Sequence, residues 1–188
     1  MKKTIIGISG DVGSFSSQAA EEYARKNDIA NYEIAYLITV ESVLRQLDKN
    51  KIDLGIFPIE NSNGGIVIES INAMSKHVFK INEIFEIPVI HCLLTKPGIS
   101  KEDIKTIASH DQALRQCKMY LKRKWAETNL KETEDTAKSA KQLSKGELEE
   151  STAVLAPESC ATLYGLIVME KGIQDLKFNF TNFLAVKK

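Results

Sequence analysis

Short apolar runs alternate with amphipathic helical stretches along the whole chain, and that rhythm confines it to the α/β class: mostly parallel sheet with helices on its faces. Strands are expected at 4–9, 32–37, 54–58, 80–94, 106–108, 130–133, 152–156 and 181–186. Helices are expected at 16–27, 40–49, 66–77, 111–124, 136–144 and 157–164. The run 80–94 is long for one strand and contains Pro88, which reads as a bend or a passage between lobes. Two lobes follow, 1–82 plus 175–188 and 83–174, with a cleft between them where the chain crosses twice.

The chain has 188 residues, 43% of them apolar and 27% charged. A chain of this length buries roughly 70% of its unfolded surface, so it needs no disulfide or metal staple. Twenty-five Lys and Arg balance 25 Asp and Glu, leaving no surplus positive field for nucleic acid or an anionic membrane. Cys92, Cys117 and Cys160 form no CxxC pair, and His77, His91 and His110 form no HxxxH or HxH pair, so no metal site is expected. The N-terminal apolar run is too short for a signal peptide and no run approaches the ~18 apolar residues of a membrane helix, so a cytoplasmic protein is expected.

Three helix starts follow loops rich in small polar residues, and each offers backbone N–H groups suited to a carboxylate. The first is 10–18, Gly-Asp-Val-Gly-Ser-Phe-Ser-Ser-Gln. Its Gly7, Gly10 and Gly13 are spaced GxxGxxG, without the GxGxxG of a dinucleotide site or a Walker lysine. The second is 58–65, Pro-Ile-Glu-Asn-Ser-Asn-Gly-Gly, which puts Glu60, Asn61 and Ser62 at the carboxyl end of a strand, where open α/β sheets bind ligands. The third is Ser109-His110-Asp111-Gln112, opening a helix that carries Arg115, Gln116 and Cys117. Each also reads simply as a capped helix after a turn. No GxSxG or other nucleophile motif is present. These loops compose a neutral pocket of hydroxyls and amides for a small carboxylate.

The chain resembles a prephenate dehydratase catalytic domain. The resemblance rests on motifs in family order: Gly13-Ser14-Phe15-Ser16 with Gln18-Ala19-Ala20; Pro58-Ile59-Glu60-Asn61-Ser62 with Gly65; His91-Cys92-Leu93-Leu94; and Ser109-His110-Asp111-Gln112 through Gln116-Cys117. It continues through Thr133-Glu134-Asp135-Thr136, Leu163-Tyr164-Gly165-Leu166 and Asn179-Phe180-Thr181-Asn182-Phe183. It implies two α/β lobes like those of type II periplasmic binding proteins, with an interlobe cleft, and a homodimer. The implied reaction converts prephenate to phenylpyruvate with loss of water and carbon dioxide, in phenylalanine biosynthesis, without metal or organic cofactor.

That chemistry accounts for a neutral pocket. The ring carboxylate leaves as uncharged CO2, so an ion pair to it would stabilise substrate more than transition state. Carried over by position, Thr181 corresponds to the family's essential threonine, protonating or hydrogen-bonding the departing hydroxyl, with Glu60 or Glu134 as its support. Asn61, Ser62, Ser109, Gln116, Thr136 and Asn179 match family substrate-binding positions, and Ser14, Phe15 and Phe183 line the same site.

Two features depart from the family. Asn182 stands where the family signature has arginine after the threonine. If that arginine touches substrate, Arg115 or a helix start must replace it, and Asn182→Arg should lower KM. The sequence also runs from Met1 to Lys188, which leads to the expectation of no regulatory ACT domain and no preceding chorismate mutase segment. Arogenate in place of prephenate, a prephenate decarboxylase, and a non-catalytic carboxylate-binding protein of the same fold are the competing readings.

Overall fold

The computed structural model describes residues 2–188, which divide into two compact units. One comprises the chain up to Pro88 together with Phe180–Lys188, the other Val89–Asn179. The chain passes between them at Pro88–Val89 and Asn179–Phe180, against expected passages near residues 82 and 174.

In the first unit, β1 (Thr4–Ile8), β2 (Tyr32–Tyr36) and β3 (Leu54–Asn61) are parallel, with β1 in the middle of the three. A two-residue strand, β4 (Gly65–Ile66), folds back on the end of β3. The expected strand at 80–94 divides at the proline, and its first part, β5 (Lys80–Pro88), forms the sheet edge. Helices α1 (Phe15–Lys26), α2 (Val40–Asp48) and α3 (Ile68–Met74) complete the unit.

Strand alternation sends Ile6, Ile8, Ile56 and Ile87 toward Ala19, Ala20 and Tyr23 of α1. Phe57 and, from the C-terminal strand, Leu184 and Val186 pack on Val40, Val43, Leu44 and Leu47 of α2. Both faces are therefore dry, which is why the central strands read as unbroken apolar runs.

The second unit contains β6 (Cys92–Thr95), β7 (Thr106–His110), β8 (Asn129–Thr133), β9 (Thr152–Ala156) and β10 (Ile167–Lys171) in the order β10-β6-β9-β7-β8. Every residue of β9 is buried, as expected of a central strand flanked by parallel and antiparallel neighbours. The helices are α4 (Asp111–Gln116), α5 (Lys118–Lys124), α6 (Thr136–Ser144) and α7 (Ser159–Tyr164), the last ended by Gly165 in the left-handed conformation that glycine adopts without strain. Cys92 and Cys160 lie in the core under α6, and Cys117 in the core under α5; all three are buried thiols outside any disulfide.

The single helix expected at 111–124 is broken at Cys117. Asp175 makes the break: its carboxylate accepts from the backbone N–H of Met119 and Tyr120 at 2.7 and 2.8 Å, and its own N–H donates to the Gln116 carbonyl at 2.8 Å. These are the bonds of a helix start, and they leave Gln116 as the last residue of α4. Strand β10 was not expected; it is a sheet-edge strand with a bulge between Val168 and Glu170 and charged residues at its end.

The final strand, β11 (Phe180–Lys187), returns to the first unit and runs antiparallel between β3 and β5. Thr181 faces Asn61 on β3, and a bulge follows between Asn182 and Phe183.

Candidate active site

Asn61 and Thr181 are polar side chains only 7% and 8% exposed, at the facing ends of β3 and β11. The Asn61 side-chain oxygen accepts from the backbone N–H groups of Asn63 and Gly64 at 3.0 and 2.7 Å, closing the turn into β4. Gly65 completes that turn at φ 76°, a conformation open to glycine. A backbone N–H can only donate, so these two bonds fix which end of the amide is oxygen. The nitrogen therefore points the other way and donates to the Phe180 carbonyl and to the Thr181 hydroxyl oxygen, each at 3.0 Å.

Ser62 clamps the same strand. Its N–H donates to the Phe180 carbonyl at 2.9 Å, and its hydroxyl accepts the Phe180 N–H at 3.0 Å. The Glu-Asn-Ser turn thus holds Phe180 and Thr181 in place through both backbone and side chain. A threonine hydroxyl has one proton and two lone pairs. With the Asn61 amide occupying a lone pair, the Thr181 proton is left for another acceptor.

Glu60 is placed differently. It is exposed and stands opposite Asn182, on the sheet face away from Asn61 and Thr181. Asn182 in turn stands opposite Glu86 of β5, so a row Glu60–Asn182–Glu86 crosses three strands. Asn182 also borders an open cavity of about 500 Å³ with Tyr23, Lys26, Phe85 and Glu86. Phe183, expected to line the site, is instead a core residue, 1% exposed and stacked on Phe85 at 6.0 Å between ring centres. Ser14 is the N-cap of α1, its hydroxyl accepting from the Ser17 N–H at 3.3 Å, and Phe15 opens the helix half-buried against the core.

In the second unit, the break at Cys117 leaves Gln116 at the end of α4. Its side-chain oxygen accepts from the Asn179 amide at 2.8 Å and lies 2.8 Å from Nε2 of His91. Asn179 and His91 are 1% and 3% exposed. Burial holds the His91 pKa below the usual histidine range, partly countered by its bond to Gln116. Asn179 is separated from Thr181 by one residue of the chain, Phe180.

Ser109 is fully buried, and its hydroxyl donates to the Leu155 carbonyl at 2.7 Å, tying β7 to β9. The helix start it was expected to cap is capped by His110, whose Nδ1 accepts from the Gln112 N–H at 3.2 Å. Thr136 is the first residue of α6, behind the cap Asp135. Glu134 is exposed and paired with Lys138, which holds its carboxyl below the usual range. Arg115 pairs with Asp111 at 2.9 Å and its side chain is 71% exposed.

Sequence reasoning missed His91 as a site residue although the motif His91-Cys92-Leu93-Leu94 had marked it. A buried histidine at a strand start was the available signal. Asp175 and Gln174, which shape the same region, carry no local signal at all.

A family model described as prephenate dehydratase matches residues 6–188. The chain belongs to the prephenate dehydratase family. It is 33% identical over 180 residues to the bifunctional chorismate mutase/prephenate dehydratase of Buchnera aphidicola, covering 95% of this chain and 46% of that one. It is 31% identical over 183 residues to arogenate dehydratase/prephenate dehydratase 2 of Arabidopsis thaliana, a chloroplastic protein, covering 97% and 46%. The chain thus spans less than half the length of these relatives.

Among solved structures, the prephenate dehydratase of Arthrobacter aurescens in complex with L-Phe matches with a TM-score of 0.86 at 24% identity, covering 98% of this chain and 60% of that one. A lipoprotein of Bacillus subtilis matches at 0.51 and 14% identity, covering 100% and 84%. These two establish the fold as the one that prephenate dehydratases share with binding proteins of the periplasmic type. Among the described residues no helix is long and apolar enough to cross a membrane, and no cluster of three or more His, Cys, Asp or Glu could hold a metal.

Proposed function

We propose that this chain is a carbon–oxygen lyase that converts prephenate to phenylpyruvate, water and carbon dioxide, a step toward phenylalanine. The observation that carries the reading is the amide of Asn61, fixed by two backbone donors, giving its N–H to the Thr181 hydroxyl. In the reaction the bond from the ring to its carboxylate breaks, its electron pair becomes a ring double bond, and the C4–O bond breaks. One proton must reach the departing oxygen to make water.

Thr181 supplies a hydrogen bond to that oxygen. A threonine hydroxyl is too weak an acid to surrender its proton alone, so it polarises the leaving group while the proton is replaced from a stronger donor. Glu134, held ionised by Lys138, suits an acceptor rather than that donor. Ser62 and the start of α1 in the first unit, and Gln116 and Asn179 in the second, carry neutral hydrogen-bonding groups of the kind that suits a carboxylate leaving as CO2.

Incubating the purified protein with prephenate and following phenylpyruvate by its absorbance in base tests the reading; absence of product overturns it. Arogenate is the second substrate to try, because the Arabidopsis relative is named for both. We also propose a cytoplasmic homodimer: three buried thiols outside any disulfide suit a reducing compartment, and light scattering would measure the assembly.

A further inference from the structure

We infer that His91 is a positioning residue for this reaction, a neutral imidazole whose Nε2–H fixes the amide of Gln116. The inference rests on the dehydratase reading for what the Gln116 amide then does, and on the geometry of the second unit for the rest. The Gln116 side-chain oxygen has two partners at 2.8 Å, Asn179 Nδ2 and His91 Nε2. An amide oxygen only accepts, so the His91 proton sits on Nε2. A planar amide with its oxygen held from two directions must turn its nitrogen the opposite way, so Gln116 presents a donor there.

The ring is itself held at its backbone. The His91 N–H donates to the Gln174 side-chain oxygen at 3.2 Å, and its carbonyl accepts from Gly172 and Ile173 at 3.0 and 3.1 Å. Two residues earlier the Val89 N–H donates to the Asn179 carbonyl at 2.7 Å. The segment entering β6 therefore fixes His91 and Asn179 together, and both converge on one oxygen of Gln116. Burial favours the uncharged ring, which suits a group that must orient an amide without placing a cation beside a carboxylate that leaves as CO2.

Two measurements on the full chain test this. Imidazole 15N NMR at neutral pH and above should show His91 with a protonated Nε2 and unprotonated Nδ1. That signal should shift in Gln116→Leu. A charged ring or the opposite tautomer overturns the inference, whether or not the protein turns over prephenate. In the activity assay, His91→Leu should lower kcat/KM roughly 10- to 100-fold, and His91→Gln, which restores an N–H donor, should recover most of it. The double variant His91→Leu, Gln116→Leu should be no worse than Gln116→Leu alone. Additive losses at unchanged Tm, or no rescue by His91→Gln, overturn the positioning role. If the wild-type chain makes no product while the NMR holds, the dehydratase reading fails and the imidazole assignment stands.

Discussion

Asn61 and Thr181, 120 residues apart in the chain, share a 3.0 Å hydrogen bond in which the amide donates and the hydroxyl accepts. The direction of that bond decides what Thr181 can do, because it leaves the hydroxyl proton for another acceptor.

Thr181→Ala should lower kcat by about 10²- to 10⁴-fold, the usual worth of hydrogen-bond or proton assistance to a leaving group, with little change in Tm. Thr181→Ser keeps the hydroxyl and should retain most of the activity. Steady-state kinetics on both, beside a melting curve, check the expectation; near-normal turnover by the alanine variant would remove Thr181 from the mechanism.

Asn61→Asp keeps the acceptor for Asn63 and Gly64 but turns a carboxylate oxygen toward the Phe180 carbonyl. The Phe180 carbonyl keeps its Ser62 donor but now faces a second acceptor where a hydrogen bond had been, a change that costs about 1–3 kcal/mol. Both Tm and kcat should therefore fall, in contrast to Thr181→Ala, and the pair of variants separates the scaffold from the reacting hydroxyl.

Asn182→Arg was expected from sequence alone to lower KM. The row Glu60–Asn182–Glu86 points elsewhere: an arginine at 182 would sit between two carboxylates on the face away from Thr181. A cross-strand charge pair is worth about 0.2–1 kcal/mol and is screened by salt. The expected outcome is a higher Tm at low ionic strength, a gain that shrinks with added salt, and an unchanged KM.

His77 gives the first unit a pH dependence. Its Nδ1 is 2.5 Å from Asp48 Oδ2 and its Nε2 3.3 Å from Glu41 Oε1, and the Asp48 bond in particular raises its pKa. A raised folded-state value stabilises the protonated form. The contribution is full below about pH 6.5, the unfolded value, and is lost as pH rises through the folded value. Chemical denaturation across that window should show stability falling with pH in the wild type and a flatter profile in His77→Gln.

The sequence foretold the parts of the fold that rest on local pattern. Strand β3 and helix α1 follow from apolar spacing and a serine cap. The Glu-Asn-Ser turn was legible as polar residues where a strand ends. Its partner was not, because nothing local tells which of the later strands will lie beside β3; only the family resemblance singled out Thr181. Thr181 and Phe183 share one face of β11, and local pattern could not tell that α1 covers that face at Phe183 and makes it core. Ser109 misled for a related reason: a hydroxyl ahead of a helix reads as a cap, whereas here the cap is His110 and the hydroxyl bridges two strands.

The interruption at Cys117 has a mechanical meaning. Each residue added to a helix rotates the next side chain by about 100°, so a helix that ran on unbroken would aim Gln116 by its winding alone. Asp175 supplies a stop, and the stop lets the aim of one amide be set from outside the helix, by a loop more than fifty residues downstream. Substitutions in that loop are thus a route by which the aim of the Gln116 amide could be retuned without altering Gln116, Asn179 or His91.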